Sequence, residues 1–524
     1  MADSARVPAP PAGGATVLPD APAATLAATI AATIAADFTV EPDPARPFTR
    51  IWLDTFDRRL VRRGLTLTYT SIRRGHWLVL TDPDGTMTEA AAPDLGWPAL
   101  LDALPDGPLR DRLAPLVGVR ALLPLAEGRG RRWDLRVLDE NDKTVVRLHA
   151  EGPVRLVGGG GELPAGVGLV PVRGYRVEAA RVRGRLEHAG LLADPAGRAA
   201  AGYPPVAGAD PVVGYRPDLP ATAGVAGMLE SFLGEVEHNV DGTVDDIDTE
   251  FLHDLRVAVR RSRSVVKLVG DVLPARLVAR AATELRWLGD LTTPTRDLDV
   301  YLLDLPAATA ELAAARPEDL DAFAGYLGRL RAAERRKLVR GLGSARLARF
   351  RRDYRAGLTA AREAALADGG STTLLLGGLA ADRVTRAYRR MVRLGDRITA
   401  GSPAEDLHTL RKRGKELRYL LELFAPLFDS VTLGDAVREL KALQDCLGRF
   451  QDGEVQQAAI QQFATDMVAS GQAHAPTLLA MGELAAQRHR VQQEARAQFE
   501  QRYQRFVRPR VRRQFGRLTE VGAG

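Results

Sequence analysis

The chain has 524 residues, 45% of them apolar and 26% charged, which are the proportions of an ordinary protein with chain enough for two or three domains. Its single cysteine, Cys446, excludes an intramolecular disulfide framework and fits a reducing, cytoplasmic setting. The net charge of +6 conceals a split: residues 1–250 carry 26 Lys/Arg against 34 Asp/Glu, and residues 251–524 carry 46 against 32. An excess of this size in the second half points to an anionic partner.

Residues 1–45 are rich in Pro, Ala and Gly and predict a mobile tail. Within them Ala23–Ala36 lacks a basic leader, which speaks against a secretory signal, and reads as a short helix or an arm. No run reaches the roughly 18 apolar residues of a membrane helix. From 46 to 200 the texture is β-rich. Thr49–Leu53, Leu65–Thr70, His76–Thr81, Trp133–Leu138 and Thr144–His149 predict strands, with turns at Asp82–Gly85 and Glu140–Lys143. The glycines Gly158–Gly161 lack the Gly-Lys-Ser/Thr ending of a phosphate-binding loop and read as a plain connection. A Pro- and Gly-containing linker is expected at 201–224.

Beyond it a 3.6-residue period predicts an all-α half built as two similar bundles, with helices near 226–240, 249–270, 275–291, 296–305, 317–339, 343–366, 377–400, 404–425, 432–448, 451–470 and 476–507. Residues 253–300 and 408–455 align without a gap, 12 of 48 positions being identical, at an offset of 155. Glu284-Leu285-Arg286 and Glu439-Leu440-Lys441 keep that offset. A repeat at fixed period is a fold-level signal.

Successive helical residues advance by about 100°, so His253, Arg256, Arg260 and Arg263 share an arc of roughly 80°. His408, Arg411, Lys415 and Arg418 occupy the same offsets. Leu255, Val259, Val266 and Val269, and in the second copy Leu410, Leu417, Leu421 and Phe424, form the apolar faces that seat each helix. Like charges on one face destabilise a helix, so each stripe is either neutralised or kept for a polyanion. Asp297 and Asp299, with Asp452 and Glu454 in the second copy, are the candidate neutralisers. A solvated face has no need of His and Arg at identical offsets twice, and this favours the polyanion.

Secondary basic candidates are Lys267, Arg286, Lys412, Lys441, Arg386, Arg389, Arg390 and Arg393. Further clusters stand at Arg331–Arg340 and Arg502–Arg513. Arginine outnumbers lysine 66 to six, which suits bidentate phosphate binding but also follows from a GC-rich coding bias. No His/Cys spacing supports a zinc site, so no metal and no cofactor are expected. The histidines read as phosphate contacts or local structure.

The repeated His-x-x-Arg-x-x-x-Arg/Lys-x-x-Arg stripe, with the segments His408–Tyr419 and Arg296–Val300, resembles the CHAD family (conserved histidine α-helical domain) over about residues 225–515, with repeats near 225–305 and 380–460. The resemblance implies two four-helix bundles related by a pseudo-twofold axis, with basic stripes that bind inorganic polyphosphate, and a place in the cytoplasm on polyphosphate granules. It carries over to His253, Arg256, Arg260, Arg263, His408, Arg411, Lys415 and Arg418. Gln451 stands where the first copy has Arg296, and that position is not carried over.

The β-rich segment is similar to a CYTH domain, the triphosphate tunnel fold, through Trp52–Leu60 and Gly64–Leu67. That fold's chemistry needs a Glu-x-Glu-x-Lys strand and inward basic residues. Here only Glu41-Pro42-Asp43 is present, Thr68 and Thr70 stand where arginines are expected, and no Lys or Arg lies between Trp77 and Gly85. A triphosphate and its metal would find little to bind. The expectation is a degenerate α+β tunnel with no catalytic residues, followed by a non-catalytic helical polyphosphate binder. The rivals are a metal-dependent triphosphatase or polyphosphatase run by the N-terminal domain, and a nucleic-acid-binding module. The second is disfavoured because the stripes offer only Tyr419 for base stacking.

Overall fold

The computed structural model describes residues 15–18, 25–73, 75–159, 161–191, 215–367 and 374–518. The chain divides into two units, Met1–Pro211 and Val212–Gly524.

The first unit runs β1 (Ala15–Leu18), α1 (Leu26–Ile34), β2 (Thr39–Pro42), β3 (Arg46–Asp54), β4 (Thr66–Ile72), β5 (Gly75–Thr81), β6 (Met87–Ala92), α2 (Pro108–Val117), β7 (Leu123–Leu138), β8 (Thr144–Glu151), β9 (Val154–Leu156), β10 (Glu162–Leu163), β11 (Ala165–Pro171) and α3 (Arg176–His188). The strands form one antiparallel sheet in the order β1-β11-β8-β7-β3-β4-β5-β6. The five expected strands are all present, and the turns close where Asp and Gly allow them: Gly85 N–H donates to Asp82 O, and Asp139 accepts from Asn141 and Lys143.

The expected tail is corrected at Ala15–Leu18, which pair with β11, and from residue 25 onward. Leu26, Ile30 and Ile34, four apart and fully buried, give α1 an apolar face packed in the core that also holds Val182 and Leu186 of α3. The sequence signal was diluted by the alanines and threonines around those three side chains. Residues 1–14 and most of the expected linker lie outside the described residues. The linker's last residues, from Ala221, are already helical.

On one face of this sheet Arg50 sits opposite Thr70 of β4 and Gly128 of β7. Trp52 and Phe48 flank it, and their rings press on β7: a Cβ at Gly128 would meet Val154 at 2.6 Å and Trp52 at 3.0 Å, and one at Gly130 would meet Phe48 at 2.8 Å. Arg50 donates to both carboxylate oxygens of Glu151 (3.0 and 2.8 Å) and to Thr70 Oγ1 (3.2 Å). Arg132, His149 and Asp134 form a second buried group, with Asp134 Oδ1 2.8 Å from Arg132 and 2.6 Å from His149 Nδ1. Asp54 and Thr55 of the Trp52–Leu60 segment are structural. Buried Asp54 accepts from the N–H groups of Thr55, Leu60 and Val61 and so shapes the turn after β3.

Burial alone would raise the Asp134 carboxyl. The hydrogen bond from His149 and the charge of Arg132 outweigh it and hold the group well below its usual range. A depressed folded value means stability that is present above the unfolded value of 3.8 and is lost as pH falls through the folded one. Asp134→Asn should therefore cost about 3 kcal/mol near neutral pH by stranding Arg132, and should flatten the loss of stability below about pH 4. Urea melts followed by tryptophan fluorescence across acid pH measure both effects.

The second unit is helical: α4 (Ala221–Asp245), α5 (Thr249–Val269), α6 (Ala275–Ala310), α7 (Asp321–Leu342), α8 (Ala345–Ala367), α9 (Leu376–Gly395), α10 (Ala404–Leu423), α11 (Ser430–Ala469), α12 (Ala475–Phe506) and α13 (Pro509–Leu518). The starts of α4, α5 and α6 each lie 155 residues before those of α9, α10 and α11. Pro220 and Leu375, themselves 155 apart, pair antiparallel, with Ala221 N–H donating to Leu374 O and Leu376 N–H to Leu219 O, both at 2.8 Å. Equivalent residues pair this way only about a local twofold axis, so the two bundles are related by one.

Two expected breaks are absent. The helices placed at 275–291 and 296–305 are continuous through Pro294 as α6, and those at 432–448 and 451–470 are continuous as α11. Pro294 removes one backbone donor, but buried Thr292, Thr295, Leu298 and Asp299 keep the inner face seated through that turn. The far ends of the long helices share a core, in which Leu298, Leu305, Phe323 and Leu327 of the first repeat meet Ile460, Met467, Met481 and Leu484 of the second. Among the described residues no helix is long and apolar enough to cross a membrane.

Candidate polyanion-binding site

Helix α5 is started by Asp248, whose carboxylate accepts from Glu250 and Phe251 N–H at 2.9 and 3.2 Å. Asp248→Ala should lower the stability of this unit by about 1 kcal/mol in a thermal or urea melt. The apolar faces lie as their spacing predicts: Leu255, Val259, Val266 and Val269 on α5, and Leu410, Leu417, Leu421 and Phe424 on α10, are all buried. Each helix is thus fixed in rotation, and its stripe is turned away from the core. His253, Arg256, His408, Arg411, Lys415 and Arg418 are half-buried, while Arg260 and Arg263 are exposed.

The stripe partners are mostly uncharged. Arg256 donates to Thr293 Oγ1 (2.7 Å), Thr292 Oγ1 (3.2 Å) and Gly289 O (3.5 Å). Arg263 lies over the same turn of α6, where a Cβ at Gly289 would come within 2.7 Å of its Nη1. These contacts hold the guanidinium groups without cancelling their charge. Only two stripe cations meet a carboxylate among the described residues: Arg411 with Asp452 (3.0 Å) and Arg418 with Glu422 (2.5 Å).

Of the expected neutralisers, Asp452 therefore acts as one. Buried Asp299 does not, because it accepts from Arg331 Nε at 2.5 Å in a network with Asp246. Asp297 and Glu454 make no ion pair among the described residues. Arg331 and Arg335 are held by Asp246, which ties α7 to the end of α4.

The stripes act on one another. Burial first, then Arg411 and Arg260, push the Lys415 ammonium below the usual lysine range, with Asp452 opposing and Arg418 adding to the push. Arg260 and Lys415 are equivalent residues of the two repeats, so the stripes converge near the twofold axis. Repulsion of that kind, left standing in the free protein, is relieved by an anion between the rows.

The histidines differ. Burial and the charge of Arg296 push His253 below the usual imidazole range, with Glu250 and Asp254 opposing, so near neutral pH it is an uncharged hydrogen-bonding group. Arg296 itself is tied to Thr249 O (3.1 Å) and Glu250 (3.6 Å). In the second repeat Gln451 replaces that arginine, and its Oε1 pairs with His408 Nδ1. Among the described residues no three His, Cys, Asp or Glu side chains converge as a metal site.

The secondary candidates divide. Lys267 is a bridge between repeats, 2.7 Å from Glu416, which Arg413 also holds at 2.8 Å. Arg386 pairs with Asp382 at 2.7 Å, and Arg390 Nε donates to Arg386 O. Arg286, Lys412, Lys441, Arg389 and Arg393 are exposed, with no ion pair among the described residues. Sequence reasoning missed Thr292 and Thr293, because the second copy has Leu447 and Gly448 there and no repeat marks them. It also missed Arg413 and Glu416, whose role depends on which helix crosses which.

Residues 227–461 match the family model of the CHAD domain. This part of the chain is a CHAD domain. The chain is also similar to the crystal structure of a CHAD domain from the plant Ricinus communis, at 24% identity and a TM-score of 0.46, over 57% of this chain and 97% of that one. PptA from Streptomyces chartreusis is similar at 18% identity and a TM-score of 0.40, over 54% and 99%. A putative adenylate cyclase from Vibrio parahaemolyticus is similar at 8% identity and a TM-score of 0.20, over 33% and 83%. No curated protein matches. Within the CHAD domain both stripes fall inside the matched span, and α5 and α10 are the helices that carry them.

Proposed function

We propose that the CHAD domain of this chain holds inorganic polyphosphate along the two stripes, and that the N-terminal unit takes no catalytic part. One observation carries the reading: Arg256, Arg260, Arg263 and Lys415 make no ion pair with a carboxylate among the described residues, Asp297 and Asp452 acting on Arg256 and Lys415 only through space, although the helices bearing them are fixed by buried apolar faces. A linear chain of phosphates supplies the missing anions as charge-assisted acceptors. The same contacts would carry the protein onto polyphosphate granules.

The state of the first unit supports the second half of the proposal. Of the arginines on its filled sheet face, Arg50 and Arg132 are matched by Glu151 and Asp134, Arg46 and Arg136 by Asp43 and Glu41, and aromatic rings press on β7. Triphosphate would have to displace those carboxylates.

Competition decides between this reading and nucleic-acid binding. Polyphosphate should displace labelled RNA of equal charge from the full chain, and RNA should not displace polyphosphate. Incubation of the full chain with tripolyphosphate and a divalent cation should release no phosphate. Displacement by RNA, or metal-dependent release, overturns the corresponding half.

A further inference from the structure

The two repeats share a backbone but not an outer surface. Helix α4 carries Glu230, Glu235, Glu237, Asp241 and Asp245 and no Lys or Arg, whereas its counterpart α9 carries Arg383, Arg386, Arg389, Arg390 and Arg393 against Asp382 alone. Position by position, Arg386, Arg389, Arg390 and Arg393 replace Ser231, Gly234, Glu235 and His238.

What covers each helix differs as well. Helix α8, 23 residues long, packs on α4, and three of its six arginines are consumed there: Arg351 meets Glu237 at 3.0 Å, Arg355 meets the same carboxylate, and Arg362 meets Glu230 at 2.9 Å. On α9 the 10-residue α13 takes that place through Phe515, whose ring stacks on Tyr388 at 4.1 Å. It brings further cations, Arg513 and Arg517, and no acid. The outer face of the first repeat is therefore largely neutralised internally, with Arg349 alone of the α8 arginines lacking an ion pair among the described residues. That of the second is left basic, with Arg389 and Arg393 exposed and without an ion pair among the described residues. Helix α9 also packs directly on α10, which bears the second stripe.

We propose that this face is a second contact surface for polyphosphate, on the second repeat alone, and that it engages the part of a long chain overhanging the axial stripes. It rests on the polyphosphate reading above and adds two properties to it. Long chains leave the twofold site toward α9, and affinity rises with chain length beyond what the stripes can cover.

The test is a titration of the full chain and of Arg389→Gln/Arg393→Gln with two labelled polyphosphates, one short enough to span only the stripes and one several times longer. Both side chains are exposed and unpaired among the described residues, so the variant should melt like the parent. Long-chain affinity should fall about tenfold, with a salt dependence shallower by up to about two, while short-chain affinity stays unchanged. A matched pair of substitutions on the first repeat, Arg349→Gln/Arg352→Gln, should change neither. Equal losses on both lengths, or no loss on the long chain, overturn the one-sided track. Failure of the parent protein to bind either probe overturns the axial reading, and the track with it.

Discussion

Reversing one charge in each stripe, Arg256→Glu with Arg411→Glu, is expected to abolish polyphosphate binding while leaving the helical unit folded. Each change removes a charge-assisted contact worth about 1.5–3 kcal/mol, so the pair should weaken binding by roughly 10²- to 10⁴-fold. The glutamates also repel the ligand. Folding should survive because α5 and α10 are held by Leu255, Val259, Leu410 and Leu417, which are buried on the opposite side. Among the described residues Arg256 hydrogen-bonds to threonine hydroxyls and a carbonyl, and Arg411 gives up a half-exposed pair with Asp452. Circular dichroism and a thermal melt confirm the fold, and the milder Arg256→Gln/Arg411→Gln keeps the test valid if the reversal proves unstable. Binding retained in the folded variant removes the stripes as the site.

The second large effect is on ionic strength. Six stripe cations, Arg256, Arg260, Arg263, Arg411, Lys415 and Arg418, neutralise phosphates and release their counterions. With about 0.7 ion released per contact, as for single-stranded nucleic acids, the slope of log affinity against log salt should be near −4. Raising salt from about 50 to about 200 mM should then weaken binding roughly 300-fold. A change below about tenfold would mean that the contacts are few or mainly uncharged.

Much of this was legible before any coordinates. The 155-residue offset, read over 253–300 and 408–455, relates α5 to α10 and α6 to α11, while α4 starts five residues before its expected place, and the apolar faces at Leu255–Val269 and Leu410–Phe424 fix which side of α5 and α10 turns outward. A period read over four turns is insensitive to end effects. Asp452 as a partner for Arg411 was also readable, since both recur at fixed distance.

What escaped has physical reasons. Helix α1 has only three large apolar side chains, Leu26, Ile30 and Ile34, in an Ala- and Thr-rich segment, and tertiary burial decides its order. Pro294 lies in a turn whose inner face is packed, so its local penalty is overridden. The capture of Arg331 by Asp246 and Asp299 is a tertiary match between α4, α6 and α7 that no local spacing encodes. The contrast between acidic α4 and basic α9 was present in the sequence. It became informative only once the pairing of Pro220 with Leu375 showed that the two helices are equivalent.

The most direct measurement is a crystal structure of the full chain with a short oligophosphate. Two rows of cations that face one another across the repeat axis should bracket the ligand, with phosphate oxygens within hydrogen-bond distance of Arg256 and Arg260 on α5 and of Arg411 and Lys415 on α10. Oligophosphate bound elsewhere, with none of those four side chains touching it, would contradict the account.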